Sequence, residues 1–236
     1  MQCTRLREPW LRRNHELFGH RWLMDTLVPG GVAVDLDGAG IARLRADQAA
    51  LRRALVPLFA VLDHHPSLTD RLVGTGRLST EQARALGCTG YVGKASGLTF
   101  DVRQACPYPP YDRLTTRVPA ETTGDVEARM RVRMAEILAS LDLLDQLLAD
   151  LPEGPSREHW PPPCAATSGV GVVESWRGET LAFVRCDAEG RVARYFPRDP
   201  SWFTWPALEQ LIHGNIVPDF PVCNKSVNGS YAGVDL

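Results

Sequence analysis

The stretch Val126-Glu-Ala-Arg-Met130-Arg-Val-Arg-Met134-Ala-Glu-Ile137-Leu-Ala-Ser-Leu141-Asp-Leu-Leu144-Asp-Gln-Leu-Leu148-Ala-Asp-Leu151 decides the class of fold. Its numbered apolar residues recur every three or four positions, the stripe of an amphipathic α-helix. Asp125 and Glu127 suit the positive end of the helix dipole, and Pro152-Glu-Gly-Pro155 stops the element. A helix over 125–151 is roughly 40 Å long. A spine of that length needs helical neighbours, so the expected fold is mainly α, a long-helix bundle.

Upstream, Ile41, Leu44, Leu51, Leu55, Leu58 and Leu62 form a second stripe, with Pro57 expected to kink it and His64-His65-Pro66 to end it. Residues 9–26 read as a further helix with Pro9 near its first turn. Ser79 and Gln82 make a capping box for a short helix that Gly87 closes. The stretch 91–122 holds four prolines and no sustained period, and such stretches often serve an interface or a site. Downstream, 170–176, 179–186 and 191–197 are β-rich runs parted by Arg177-Gly178 and Asp187-Ala-Glu-Gly190. They predict a small antiparallel sheet. Pro206 is expected to open a helix that closes at Gly214, ahead of a terminal tail. This gives a helical portion over 1–160 and the sheet, short helix and tail over 161–236, all of one domain.

Composition excludes several classes. A hydrophobic share of 44% supports a real core, while a net charge of -2 leaves no electrostatic footprint for nucleic acid. No run of 18 apolar residues offers a membrane span, and the first ten residues lack the apolar core of a signal peptide. The six cysteines, at 3, 88, 106, 164, 186 and 223, lie at least eighteen residues apart, so no Cys-x2-4-Cys pair for zinc or iron–sulfur is present. They read as reduced, mostly buried thiols.

A series of short motifs points to one family. They run in order: Asn14-His-Glu-Leu-Phe-Gly-His-Arg21, Pro29-Gly-Gly31, Gly74-Thr-Gly76, Leu78-Ser-Thr-Glu-Gln82, Ala95-Ser-Gly97, Asp101-Val-Arg103, Pro107-Tyr-Pro-Pro-Tyr-Asp112, Gly124-Asp125, Arg133-Met-Ala-Glu136, Leu151-Pro-Glu-Gly-Pro155 and Glu174-Ser-Trp-Arg-Gly-Glu179. Together they resemble the D subunit of NADH–quinone oxidoreductase (respiratory complex I) and the related large subunit of membrane-bound, energy-converting NiFe hydrogenases such as formate hydrogenlyase. The resemblance covers essentially the whole chain and implies a partial fold of that type. It does not reach the family's N-terminal half. That half is expected in a separate chain, lost, or hidden by a late start.

The resemblance also assigns sites. Hydrogenases carry Glu-x-Pro-Arg-Gly, whose arginine sits over the active site, and Glu174-Ser-Trp-Arg177-Gly178 matches it except at Trp176. Arg177 in a tight turn is the candidate for orienting a bound molecule or stabilising negative charge. The alternative is an exposed turn arginine. Glu174 and Glu179 read as salt-bridge partners, with Glu174 counted among cavity residues. Hydrogenase large subunits end in Asp-Pro-Cys-x-x-Cys, whose thiolates hold nickel. Asn228-Gly-Ser-Tyr-Ala-Gly233 stands in that register, so Ser230 and Gly233 occupy the two cysteine positions, and neither a hydroxyl nor a hydrogen replaces a soft thiolate. Nickel is therefore not expected. Asp101, Arg103, Tyr108, Tyr111 and Asp112 combine arginine and aromatic groups as interfaces do, and read as docking surface for a partner. Gly74-Thr-Gly76 reads as a close loop beside Ser79 rather than an anion cradle.

The function so implied is a non-autonomous subunit of a membrane-associated, cytoplasm-facing oxidoreductase complex, peripheral to the inner membrane through its partners. The chain would wall a cavity next to the terminal iron–sulfur cluster of a small partner subunit, with quinone or another acceptor in it. Further partners are a membrane arm and a chain supplying the missing half; no cofactor is held by this chain alone. The alternative is a truncated structural or assembly module without redox activity.

Overall fold

The computed structural model describes residues 2–161, 163 and 165–235. In chain order the elements are α1 (Gln2–Phe18), β1 (Leu27–Val28), β2 (Gly31–Val32), α2 (Gly38–Asp63), α3 (Pro66–Leu72), α4 (Thr80–Ala85), α5 (Gly90–Ala95) and α6 (Val102–Ala105). They continue with α7 (Val126–Ala149), β3 (Thr167–Ser175), β4 (Gly178–Cys186), β5 (Val192–Arg198), α8 (Ser201–Leu211) and α9 (Phe220–Val227). The class is the expected one, mainly helical with small antiparallel sheets. The strand order is β3-β4-β5, and Ser175 pairs with Gly178 across a two-residue loop.

Packing groups the chain into two units that are each discontinuous in sequence, 1–61 with 141–162 and 62–140 with 163–236, rather than at residue 160. In the first unit Arg13 reaches Asp47 at 2.6 Å, Arg45 the Leu148 carbonyl at 2.6 Å and Arg52 Asp142 at 2.7 Å. Residues 156–158 lie on the Pro29-Gly-Gly31 hairpin, where a Cβ on Gly31 would stand 2.2 Å from the Ser156 carbonyl oxygen. Two motifs far apart in sequence thus meet through backbone that only glycine permits. Apolar side chains stay exposed here, among them Trp22, Met24, Leu27, Val56 and Val61, and α1 buries no residue.

The second unit holds a core of Leu78, Ala83, Tyr91, Val92, Ala128, Val132, Leu208, Leu211, Cys223 and Val227. At its centre is Arg129, fully buried. Its Nε donates to Ser226 Oγ at 2.9 Å, and its terminal nitrogens donate to the Gly124 and Gly76 carbonyls at 2.8 Å each. Burial pulls its pKa down to about 10, so it remains a cation at neutral pH.

Four local readings need correction. The first helix ends at Phe18, not 26, because Gly19 turns left-handed at φ 78° and its N–H closes on His15; Pro9 lies inside the helix. Pro206 also lies inside a helix, α8, whose start is set by Asp199 accepting the Ser201 N–H at 2.8 Å. The stretch 91–122 contains the end of α5 and all of α6. Every residue of α5 is buried, so it has no polar face and shows no amphipathic period. Of the cysteines, 88 and 223 are buried but Cys3 and Cys106 are exposed; Cys164 lies outside the described residues. The Ser79–Gln82 capping box is present.

Removing the Arg129 side chain leaves the Gly76 carbonyl and the Ser226 hydroxyl without their donor, while the Gly124 carbonyl keeps the Leu78 N–H at 2.9 Å. Arg129→Leu is expected to cost about 3–5 kcal/mol in denaturant unfolding, against about 1 kcal/mol for Ser79→Ala. Equal losses for the two would contradict the role given to Arg129.

Candidate functional site

The β3–β4 loop is Trp176-Arg177, and the start of α5 holds it by backbone contact. A Cβ on Gly90, at φ 59°, would lie 2.1 Å from the Arg177 carbonyl oxygen. The Trp176 indole stacks on the buried Tyr91 ring, with centroids 5.7 Å apart and planes 7° from parallel. The Arg177 guanidinium lies 4.1 Å from the centre of the indole, and its Nε donates to the Asn228 carbonyl at 2.8 Å. The Tyr91 hydroxyl donates to the preceding carbonyl, Val227. Arg133 also lies over the Tyr91 ring, at 5.1 Å. Trp176, the departure from the family's proline, thus supplies a cation–π platform for Arg177.

The same two carbonyls start the tail. Asn228 ends α9 in the left-handed region, and a Cβ on Gly229 would meet the Trp205 ring at 2.8 Å. Ser230 donates its N–H to Ser201 Oγ at 2.8 Å, and Trp205 Nε1 donates to the Ser230 carbonyl at 3.0 Å. Trp202 Nε1 donates to the Gly233 carbonyl at 2.8 Å. Trp202, Trp205, Tyr231 and Val234 line an open, largely apolar hollow of about 420 Å³.

This donor set does not fit nickel. Ser230 Oγ accepts the Gly233 N–H at 3.0 Å, so the two positions that would carry thiolates bond to each other. A Cβ on Gly233 would lie 2.8 Å from Asp199 Cβ and Cγ. Cys223 does not compensate: it lies seven residues before Ser230 in α9, and its side chain is buried in the core. Among the described residues no three His, Cys, Asp or Glu side chains group as a metal site would.

The residues read as a docking surface separate. Asp101 is buried inside an ionic cluster, because α6 packs inward on β3. Lys94 Nζ lies 2.8 Å from Asp101, 2.8 Å from Glu136 and 3.6 Å from Glu174. Arg103 grips Asp101 at 2.7 Å. Asp101 and Glu174 are therefore internal groups and offer nothing to a partner. Arg103 is half-buried over Tyr111, which meets Tyr108 edge to face at 5.0 Å, and Asp112 is exposed. Glu179 pairs with Arg198. The Gly74-Thr-Gly76 loop spends its N–H groups on Asp125 and Asn215, which leaves no anion cradle.

Lys94, Tyr91, Trp202 and Trp205 had no motif of their own, and Arg133 and Glu136 stood in the Arg133-Met-Ala-Glu136 motif with no role assigned. The tight contact at residue 233 generates a prediction. Gly233→Ala should release the tail, seen as protease cleavage after Asn228 and a changed Trp202/Trp205 fluorescence. Unchanged protection would contradict this packing.

Comparison with known proteins agrees with the architecture. The family described as "Respiratory-chain NADH dehydrogenase, 49 Kd subunit" matches residues 1–167. The carbon monoxide-induced hydrogenase of Rhodospirillum rubrum is 33% identical over 97% of the chain and 63% of its own length. The C/D polypeptide of NADH-quinone oxidoreductase from Bacteroides fragilis is 34% identical over 90% of the chain and 41% of its own length. A chain of the membrane-bound sulfane sulfur reductase, an archaeal respiratory membrane complex, superposes with a TM-score of 0.92 at 28% identity, covering 99% of this chain and 65% of that one. The chain thus spans less than two thirds of these relatives' length. It belongs to the 49-kDa (D) subunit family of respiratory-chain NADH dehydrogenase, which includes hydrogenase-type relatives.

Proposed function

We propose that the chain is a nickel-free, non-autonomous subunit of a membrane-associated oxidoreductase complex, in which Arg177 orients the electron acceptor. The relatives are components of respiratory and hydrogenase-type membrane complexes. The observation that carries the role of Arg177 is its geometry. Its Nε is committed to Asn228 and its plane to Trp176, while among the described residues its two terminal nitrogens have no acceptor. A fork held at one edge and open at the other suits a carbonyl or a developing oxyanion.

In this reading the Arg177 turn and the tail form one wall of a cavity, and a small partner subunit supplies the terminal iron–sulfur cluster beside it. Quinone is the preferred acceptor. Nickel chemistry is not part of the scheme, since the residues at 230 and 233 do not fit the metal. No helix among the described residues is long and apolar enough to cross a membrane, so attachment would run through other subunits, on the cytoplasmic side. The exposed apolar residues of the first unit support burial against such partners.

The test uses the assembled complex. Arg177→Ala should lower acceptor reduction at least tenfold, and Arg177→Lys nearly as much because a lysine lacks the fork. Assembly should be unchanged. Stoichiometric nickel or hydrogen turnover would overturn the proposal. Unchanged turnover in both variants would favour the purely structural role.

A further inference from the structure

The ionic cluster around Lys94 lies outside the role proposed for Arg177, and its charges do not balance. Two cations, Lys94 and Arg103, face three carboxylates, Asp101, Glu136 and Glu174. Full ionisation therefore leaves one buried negative charge without compensation.

The three carboxylates are not equally supported. Asp101 accepts from Lys94 Nζ and from three nitrogens of Arg103: the backbone N–H at 3.1 Å, Nε at 2.9 Å and Nη2 at 2.7 Å. Glu136 meets Lys94 at 2.8 Å and keeps part of its side chain in solvent. Glu174 has neither advantage. Its side chain is 2% exposed, Oε2 accepts only the Val102 N–H at 3.0 Å, and Oε1 is buried without any hydrogen bond, 3.6 Å from Lys94. One oxygen thus accepts as a carbonyl does, and the other has no hydrogen-bond donor. A buried carboxylate oxygen left unbonded costs more than a neutral carboxyl at the same place.

We infer that Glu174 is a proton-binding site, whose carboxyl holds a proton at Oε1 in the resting protein and releases it to leave a carboxylate paired with Lys94. The electrostatics agree. Burial raises the Glu174 pKa, and the Val102 N–H and Lys94 only partly offset it. Burial raises that of Asp101 too, but Arg103 and Lys94 outweigh it and hold Asp101 low. Burial works against the Lys94 ammonium, yet Glu136 and Asp101 keep it charged. Tyr108 faces the Glu174 backbone and completes the set of titratable neighbours.

Glu174 stands three residues before Arg177, near the end of β3, which leads into the Arg177 turn. If Arg177 orients an acceptor that takes up protons with its electrons, this carboxyl is placed to hold one of them. That use rests on the proposed function; the protonation does not.

The test reads protonation without turnover. Infrared difference spectra of the full chain, labelled with 13C-glutamate, should show the carbonyl stretch of a protonated carboxyl above about pH 6, where ordinary glutamates are ionised, and that band should fade as pH rises further. Glu174→Gln should lose that band. The raised pKa also has a signed consequence. The stabilising contribution of protonated Glu174 is complete below the ordinary glutamate value and is lost as pH rises through its folded value. Glutamine mimics the protonated form, so the melting temperature of Glu174→Gln should gain on the parent's as pH rises. Absence of the band above about pH 6 in the labelled parent would overturn the inference, and so would a Gln penalty that grows with pH. The labelled parent alone decides the matter if the variant does not fold. Because neither readout uses the acceptor, Arg177 and Glu174 can fail independently.

Discussion

One buried guanidinium sets the geometry of the second unit. Arg129 gathers the Gly76 carbonyl, the Gly124 carbonyl and the Ser226 hydroxyl, so it ties α7 to the glycine loop on one side and to α9 on the other. Because α9 is fixed, the Val227 and Asn228 carbonyls stand where Tyr91 and Arg177 reach them. The Arg177 turn is thereby joined to the tail. A fully buried cation with neutral acceptors is a costly device, and burial registers as the lowered pKa. What that cost secures is position: three segments distant in sequence share one centre.

The cations around this junction are held in an unusual way. Arg133 and Arg177 rest on the Tyr91 and Trp176 rings rather than on carboxylates. Cation–π support fixes a guanidinium without neutralising it, so its field remains available to a ligand. Carboxylates are concentrated instead around Lys94. The tail follows the same economy of closure, with Ser230 and Gly233 bonded to each other and Asp199 packed where a side chain at 233 would stand.

Much of this was legible in the chain. The long stripe of 126–151, the Ser79–Gln82 box and the Arg177-Gly178 turn each carry a local signal, either a period or a cap, and each appears in the structure. The departures share a cause. Helix α5 is buried all round and therefore shows no period, while the end of α1 is set by Gly19, whose signal lies just past the last apolar residue. The site was visible as separate motifs, since Arg177 and the Ser230–Gly233 positions stand out by comparison with the family pattern. The union of Arg177 with the tail through Asn228 spans fifty-one residues, and the burial of Asp101 depends on α6 packing on β3, neither of which a spacing rule reports. Exposure was the hardest property to read: the arginine–aromatic composition of 101–112 suits an interface, yet its first acid is internal.

The central claim is that the Arg177 turn, tied to the tail through Asn228, presents a forked cation to an organic acceptor. The most direct measurement is a density map of the assembled complex with acceptor bound. The account predicts light-atom ligand density within hydrogen-bond reach of the Arg177 terminal nitrogens and no metal peak beside Ser230. A metal peak there, or an acceptor bound away from Arg177, would contradict it.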